Sequence, residues 1–144
     1  MAITVKRVSL WRASVANRPG TLAQILAGQA AARASLDVVM GYTVPGEGAH
    51  AVVEVHPVKG KKAVAAARAA GLSASTTPTL LVTGDDRAGI GHAMTQALAD
   101  AGINLSFMVA QVAGRRYSTV FGFESEADAA RATALIKKAA KRKS

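Results

Sequence analysis

A short motif that occurs twice constrains the fold of this chain more than any other feature. Residues 17–22 read Asn-Arg-Pro-Gly-Thr-Leu and residues 86–91 read Asp-Arg-Ala-Gly-Ile-Gly, and each motif follows an apolar stretch and opens an amphipathic one. The two motifs lie 69 residues apart, and the same offset relates Leu36 to Leu105. Because a repeated motif indicates a repeated supersecondary unit, we predict two copies of one unit, the first in residues 1–77 and the second in residues 78–144.

The second copy shows the order of the elements most clearly. Apolar residues recur at helical spacing over residues 90–101, and Gly102 follows at the place where a glycine ends a helix. Residues 117–123 alternate as in a strand, and Ser125 is placed to cap a last helix. The predicted elements are a strand at 80–82, a helix at 90–101, a hairpin of strands at 104–112 and 117–123, and a helix after residue 125.

The first copy repeats this order. We predict strands at 5–15, 36–44 and 51–55, helices at 21–33 and 61–70, and a weak fourth strand within 72–77. Leu22, Ile25 and Leu26 are expected on the inner face of the first helix. The repeated unit is therefore β-α-β-β-α-β, and both helices cover one face because such connections are right-handed. The predicted fold class is α+β, with two ferredoxin-like repeats whose antiparallel sheets carry helices on one face.

The second copy lacks an evident fourth strand. Residues 137–144, which follow its last helix, contain five Lys or Arg residues and are too charged to form one. An unpaired strand edge invites association with another chain. We therefore expect this edge to be covered either by residues 3–8 or by a partner chain.

The net charge of +9 brings nucleic acid or an acidic protein into consideration as a partner. Five of the 18 basic residues lie in the last eight positions, so much of the excess charge belongs to a basic C-terminal tail. The other candidate phosphate contacts lie around Tyr117 and at residues 59–62. A single tyrosine is not a stacking platform for bases, so we do not expect nucleic acid as a partner. The candidate phosphate contacts outside the C-terminal tail are Lys59, Lys61, Lys62, Arg115 and Arg116.

Catalytic and metal-binding patterns are absent from the sequence. There is no cysteine, which excludes a disulfide, thiol catalysis and a cysteine-ligated zinc ion. His50, His56 and His92 are too scattered for a metal site, and no nucleophile elbow, phosphate-binding loop or dinucleotide fingerprint occurs. We therefore expect no enzymatic activity, no metal and no cofactor. No apolar run is long enough to cross a membrane and no secretory signal is evident, so we expect a cytoplasmic protein that does not bind membranes.

The chain as a whole resembles tandem ACT-domain proteins. The resemblance rests on the motif at 17–22 after a strand, on Ala-Gly-Ile-Asn-Leu at 101–105 after a helix, and on the order of the elements. ACT domains are small regulatory modules that are attached to amino-acid biosynthetic enzymes or occur as stand-alone pairs. The resemblance implies a non-catalytic regulatory protein that binds an amino acid.

In this family an amino acid commonly binds at an interface between domains. The ligand contacts the loop that joins the first strand to the first helix, together with the start of the second strand. Two positions depart from the family pattern, because Ser35 and Asp86 stand where asparagine is common. The ligand-binding residues that the resemblance implies are Asn17, Arg18, Pro19, Gly20, Thr21, Leu22 and Ser35 in the first repeat, and Asp85, Asp86, Arg87, Ala88, Gly89, Ile90 and Asn104 in the second.

The chemistry of these loops agrees with an α-amino acid as the ligand. Gly20 and Gly89 let backbone N–H groups at a helix N-terminus approach a ligand, and that end of a helix favours a carboxylate. Asn17 offers a donor and an acceptor, and Asp86 accepts from an ammonium group. The structural alternative is that the glycines only make turns, that Pro19 starts a helix, and that Asn17 and Asp86 cap the helices.

We expect ligand binding to favour one interdomain or dimer arrangement over another, which requires unequal affinity for the two states. Exposed sheet edges and Trp11 favour a homodimer. Two other functions stay open. One is an electropositive adaptor that binds nucleic acid or an acidic protein, and the other is a structural partner of a biosynthetic enzyme.

Overall fold

The computed structural model describes residues 3–141, which form two four-stranded antiparallel sheets with helices packed against them. This architecture confirms the predicted α+β fold with two ferredoxin-like repeats. No helix in this part of the chain is long and apolar enough to span a bilayer. In chain order the elements are β1 (Thr4–Val8), β2 (Trp11–Ala16), α1 (Thr21–Ala31), β3 (Val38–Thr43), β4 (His50–His56), α2 (Lys61–Ala69), β5 (Ser73–Ala74), β6 (Thr79–Asp85), α3 (Ile90–Asp100), β7 (Leu105–Ala113), β8 (Arg116–Phe123) and α4 (Glu126–Lys141).

The described chain divides into two compact units. Repeat 1 comprises Ser9–Thr76, and repeat 2 comprises the described residues up to Val8 together with those from Thr77 onward. Strand β1 therefore belongs to the sheet of repeat 2, although it precedes repeat 1 along the chain.

Strand β1 takes the fourth-strand position of repeat 2. The strand order is β1-β6-β8-β7, and β1 runs antiparallel to β6 with Thr4 opposite Thr83 and Val8 opposite Thr79. An ion pair between Arg7 and Glu126 also joins β1 to the start of α4. The sequence left two candidates for the strand that pairs with this edge, the N-terminal segment and a partner chain. The structure confirms the N-terminal segment, because β6 pairs with β1 on one side and with β8 on the other.

The single long strand predicted for residues 5–15 is wrong. The chain forms two strands there, and they pair in different sheets, β1 with β6 and β2 with β4 and β5. Ser9 and Leu10 lie between the strands, and the Leu10 side chain is only 1% exposed. A continuous run of strand-forming residues does not reveal where the hydrogen-bonding partner changes, because that change depends on residues distant in sequence.

The helices of repeat 2 pack on one face of its sheet. Met94 and Leu98 of α3 and Ile136 of α4 are almost fully buried in one cluster with Phe121 and Phe123 of β8. The helical spacing in the sequence thus identified the residues that cover the sheet.

The ends of the repeat 2 helices follow the sequence prediction. Gly102 has φ +72°, and the N–H of Ile103 donates to the carbonyl of Leu98 over 2.9 Å, as expected where a glycine ends a helix. The hydroxyl of Ser125 accepts from the N–H of Asp128 over 3.1 Å, which confirms the predicted cap of α4.

Repeat 1 has the strand order β3-β4-β2-β5. The weak strand predicted within 72–77 is the two-residue β5, which pairs with Trp11 and Arg12. Of the three residues predicted on the inner face of α1, Ile25 is buried and Leu26 is partly buried. Leu22 also faces the sheet, since a Cβ on Gly41 of β3 would lie 3.3 Å from its Cδ2, but it is 38% exposed and does not belong to the buried core.

Helix α4 extends to Lys141, so part of the expected basic tail is helical. Lys137, Lys138 and Lys141 lie in its last turns, where positive charge opposes the negative end of the helix dipole. Arg142, Lys143 and Ser144, the rest of that tail, lie outside the described residues.

Candidate functional site

A pocket of about 400 Å³ lies in repeat 1, where β2 ends and α1 begins. Four residues of the predicted loop, Asn17, Arg18, Thr21 and Leu22, border it. Its volume falls within the ~300–1,000 Å³ of most small-molecule sites. The remaining walls come from the strands, through Val15, Ala16, Gly41, Tyr42, Thr43, Ala51, Val52 and Val53.

Hydrogen bonds hold the loop of this pocket in place. The side-chain N–H of Asn17 donates to the carbonyl of Gly48 over 2.9 Å, and its backbone N–H donates to the carbonyl of Ala49 over 3.0 Å. The hydroxyl of Thr21 donates to the carbonyl of Ala16 over 3.1 Å. Asn17 therefore ties the loop to the β3–β4 hairpin and keeps its side-chain oxygen as an acceptor.

The N-terminus of α1 opens at this loop without a side-chain cap. Gly20 directly precedes the helix with φ +92°, a conformation that favours glycine, and among the described residues no side chain caps the helix end. The first N–H groups of a helix have no partners within the helix. The structural alternative, in which Asn17 caps the helix and Pro19 is its first residue, is wrong for α1.

Arg18 supplies a positive charge beside this helix end. Its side chain is exposed and makes no hydrogen bond or ion pair within residues 3–141. A free guanidinium and a helix N-terminus both attract an anionic group. This rim of the pocket is therefore electropositive.

Small residues line the strand side of the pocket. A Cβ on Gly41 would lie 3.3 Å from Cδ2 of Leu22, so that side chain packs on the bare backbone of β3. Ala51 of β4 stands opposite Val15 of β2 in the strand pairing, and its single methyl group leaves space above the sheet. The pocket thus combines an electropositive rim with apolar walls.

Tyr42, on the strand side of the pocket, is held by a buried carboxylate. Its hydroxyl donates to Glu54 over 2.8 Å, and Glu54 is only 4% exposed, with the guanidinium of Arg12 at 4.0 Å. Burial of the phenol, the hydrogen bond to Glu54 and the charge of that carboxylate raise the pKa of Tyr42. These contacts link β3 to β4 and β2 on the face of the sheet opposite Gly41 and Ala51, because successive side chains of a strand point to opposite faces.

Two predicted residues lie away from the loops. Ser35 is exposed between α1 and β3, and Asn104 is exposed between α3 and β7. Each stands beyond the C-terminal end of a helix whose N-terminus adjoins the predicted loop, and 11 residues of helix span about 16 Å. Within one repeat the structure does not bring these residues to their loop.

The loop of repeat 2 is held by different contacts. Oδ1 of Asp85 accepts from Arg116 over 3.0 Å, and the N–H of Asp86 donates to the carbonyl of Arg115 over 2.8 Å. The guanidinium of Arg87 donates to two carbonyls in the last turn of α4, over 3.3 Å and 3.4 Å. Arg116 and Arg87 are thus engaged within repeat 2, which leaves them less available as phosphate contacts.

The remaining residues of the second loop lead into α3. Gly89 precedes the helix with φ +84°. As in repeat 1, no side chain in the described part of the chain caps the helix, so the capping alternative is wrong for Asp86 as well. Ala88 is exposed, whereas Ile90 is 7% exposed and belongs to the core.

A second opening, of about 540 Å³, lies between α3 and α4. Arg87, Ala88 and Gly89 border it together with His92 and Lys138. The loop motif of repeat 2 indicated the first three of these residues, whereas no sequence pattern indicated the rest of the groove, because its walls come from helices that are distant along the chain. Within residues 3–141, no group of three or more His, Cys, Asp or Glu side chains is placed to hold a metal ion.

Sequence reasoning missed the strand residues of the repeat 1 pocket, above all Gly41 and Ala51. They carry no motif, and they become part of the site only through the pairing of β3, β4 and β2. Only a comparison of the β3–β4 and β7–β8 hairpins, with each residue matched to the one that faces it, could have identified Gly41 and Ala51 from the sequence.

Comparison with known proteins identifies the fold. No protein-family model and no curated protein matches the sequence. A solved protein from Bacteroides thetaiotaomicron gives a TM-score of 0.74 at 10% identity, with 96% of this chain and 99% of that one covered. The regulatory subunit of aspartate kinase from Thermus thermophilus, in its ligand-free form, gives 0.65 at 17% identity, with 96% and 97% covered.

A longer enzyme contains a similar region. The aspartate kinase of Clostridium acetobutylicum, described as an allosteric enzyme, gives a TM-score of 0.61 at 15% identity over 95% of this chain and 34% of the enzyme. At these identities the likeness is one of fold. The chain therefore has the fold of two ACT-like, ferredoxin-like repeats that its sequence resemblance implies.

Proposed function

We propose that this protein is a non-catalytic regulator that binds a small molecule, an amino acid, in the pocket of repeat 1. The observation that carries the proposal is the position of that pocket, at the uncapped N-terminus of α1 beside Arg18. The regulatory names of the aspartate kinase neighbours support the same role. A biosynthetic enzyme is accordingly the class of protein that we expect it to regulate.

The chemistry of the pocket fits the two charged groups of an α-amino acid. The positive N-terminal end of α1 and the guanidinium of Arg18 favour a carboxylate. The side-chain oxygen of Asn17 can accept from an ammonium group, because the nitrogen of the same amide is already bonded to Gly48. Val15 and Ala51 offer apolar contact to a side chain.

A second copy of the chain would complete this site. Strand β3 lies at the edge of its sheet, and two of its side chains are well exposed, Val39 at 44% and Tyr42 at 43%. Antiparallel pairing of β3 with the same strand of another copy places the start of one strand beside the end of the other. The segment with Ser35 then approaches the end of β3 that borders the partner's pocket.

Regulation would follow from this arrangement. An amino acid that contacts both copies binds the dimer more tightly than the monomer, and it therefore shifts the population towards the dimer. The effect on a partner enzyme depends on which of the two states the enzyme binds.

Thermal unfolding with each of the twenty amino acids in millimolar excess tests the proposal. A ligand at about 100 times its dissociation constant adds ~2.7 kcal/mol to the folded state, which raises the unfolding midpoint by several degrees. Arg18→Ala should weaken the effect without changing the stability of the free protein, since the Arg18 side chain makes no hydrogen bond or ion pair within residues 3–141. Arg115→Ala, which removes an exposed arginine of repeat 2, is the matched control.

Two outcomes contradict the proposal. If no amino acid shifts the midpoint, the ligand class is wrong. If Arg18→Ala and Arg115→Ala reduce the shift equally, the site does not lie at the N-terminus of α1. Sedimentation velocity with and without the active amino acid tests the dimer separately.

A further inference from the structure

The two repeats differ at one pair of positions beside their loops. In repeat 1, Ala51 of β4 stands opposite Val15 of β2. In repeat 2, Tyr117 of β8 stands opposite Gly84 of β6. Val15 and Gly84 are related by the same 69-residue offset as the two loop motifs. Ala51 and Tyr117 therefore hold equivalent places in the two sheets.

In repeat 2 the tyrosine ring lies directly on the glycine. A Cβ added to Gly84 would lie 2.6 Å from Oη of Tyr117 and 2.8 Å from its Cε1 and Cζ. Tyr117 is only 5% exposed and belongs to the same buried cluster as Ile90, the first residue of α3. The ring thus occupies the space between the end of β6 and the start of α3.

In repeat 1 the same space is not filled. Ala51 has one methyl group, and Thr21 stands at the first position of α1, where repeat 2 has Ile90. The pocket of about 400 Å³ lies there and is bordered by Val15, Ala51 and Thr21. At both pairs of positions, Ala51 and Tyr117 on the strands and Thr21 and Ile90 on the helices, repeat 1 has the smaller side chain.

We infer that only repeat 1 keeps this binding space open, and that Ala51 is the residue that keeps it open and limits the size of the ligand side chain. Tyr117 takes the place of a ligand between β6 and α3, so each chain binds one ligand in this space and not two. The opening between α3 and α4 is a separate space, because neither Gly84 nor Tyr117 borders it. The identity of the ligand as an amino acid rests on the proposed function; the difference between the repeats does not.

Cysteine labelling tests the open and the filled space without any ligand. The chain has no cysteine, so a single introduced thiol reports its own accessibility to iodoacetamide. Thr21→Cys should react about tenfold or more faster than Ile90→Cys, because reactivity follows exposure. Adding Ala51→Tyr should slow the reaction of Thr21→Cys, and adding Tyr117→Ala should speed that of Ile90→Cys. Ala65→Tyr, on the exposed face of α2, is the matched control and should change neither rate.

Titration calorimetry then counts the sites, with the amino acid that most raises the unfolding midpoint as the probe. We expect one amino acid per chain, no measurable binding to Ala51→Tyr, and unchanged binding to Ala65→Tyr. A circular dichroism spectrum shows whether Ala51→Tyr is folded, and Ala51→Leu replaces it if it is not.

The possible failures are distinguishable. If no amino acid binds but the labelling rates follow the expected order, the proposed ligand is wrong and the difference between the repeats stands. Two amino acids per chain, or binding that survives Ala51→Tyr, would overturn the inference and leave the proposed function standing. Equal labelling of Thr21→Cys and Ile90→Cys would also overturn it.

Discussion

Replacement of Gly84 by alanine should destabilise repeat 2 through a clash with one side chain. The new Cβ would lie 2.6 Å from Oη of Tyr117, well inside the contact distance of carbon and oxygen. Tyr117 is 5% exposed, so its ring cannot move aside without disturbing the core. Overpacking of this kind costs ~1–3 kcal/mol.

One opposing term reduces the net effect. Gly84 does not have a positive φ, so alanine causes no backbone strain there. Alanine also restricts the conformations of the unfolded chain, and this effect stabilises the folded state by ~0.4–1 kcal/mol. We therefore expect a net loss of about 1–2 kcal/mol in the free energy of unfolding. Urea unfolding at 25 °C should show this as a lower midpoint with an unchanged slope.

Gly91→Ala is the matched control for this substitution. Gly91 lies in α3 and does not have a positive φ, and a Cβ added there would meet no atom within 4 Å outside its own stretch of helix. Alanine in a helix is more stable than glycine by ~0.5–1 kcal/mol, so this variant should unfold at a higher urea concentration than the wild type.

A double-mutant cycle identifies the cause of the loss. Tyr117→Ala alone should cost ~3–5 kcal/mol, as for other buried aromatic side chains. Because this variant removes the ring, adding Gly84→Ala to it should cost nothing further, and the two effects should not be additive. Additive effects, or a Gly84→Ala variant as stable as the wild type, would refute the argument that the ring rests on Gly84.

Three further predictions concern a helix cap and two titrating groups. Ser125→Ala should lower stability by ~1 kcal/mol in urea unfolding, because it removes the side-chain cap of α4. The hydrogen bond from Arg7 lowers the pKa of Glu126, so an NMR titration should find a pKa below the ordinary value for this carboxyl, and Arg7→Ala should restore that value. The contribution of Glu126 to the stability of the fold is present above its pKa in the unfolded chain and is lost as the pH falls through its pKa in the folded protein. Burial and Glu54 raise the pKa of Tyr42, so Glu54→Gln should lower this pKa in a spectrophotometric titration. The contribution of Tyr42 to the stability of the fold is present below its pKa in the unfolded chain and is lost as the pH rises through its pKa in the folded protein.

Each of these has a result that contradicts it. An unchanged urea midpoint in Ser125→Ala would mean that the cap contributes no stability. A Glu126 titration that does not respond to Arg7→Ala would place its cause elsewhere. For Tyr42, Asp37→Asn is the control, since it removes an acid of repeat 1 that, unlike Glu54, is exposed and is not bonded to Tyr42. An equal response of the Tyr42 pKa to both variants would refute the specific effect of Glu54.

The secondary structure could be predicted wherever the signal was local. The helix expected at 90–101 is Ile90–Asp100, and its end follows from Gly102. The prediction failed over residues 5–15, where one run of strand-forming residues serves two sheets. At Leu22 the helical spacing gave the correct side of α1, but it could not give the 38% exposure of a side chain that borders a pocket.

The candidate site could be predicted only in part. The loop motif located the four residues that border the pocket from this loop, which are Asn17, Arg18, Thr21 and Leu22. It could not locate Gly41 or Ala51, because residues of different strands become neighbours only through pairing. Whether Ser35 takes part depends on a second copy of the chain, and that stays a prediction.

The sequence by itself determined the repeat, the order of the elements, the ends of the repeat 2 helices and the chemistry of the loops. Each of these depends on residues a few positions apart, and so on spacing, caps and turns. Only the tertiary structure decided that β1 completes the sheet of repeat 2, and that Ala51 and Tyr117 stand at equivalent places beside the two loops. Strand register brings these residues together over long distances in sequence, and side-chain volume then sets how much space is left beside each loop.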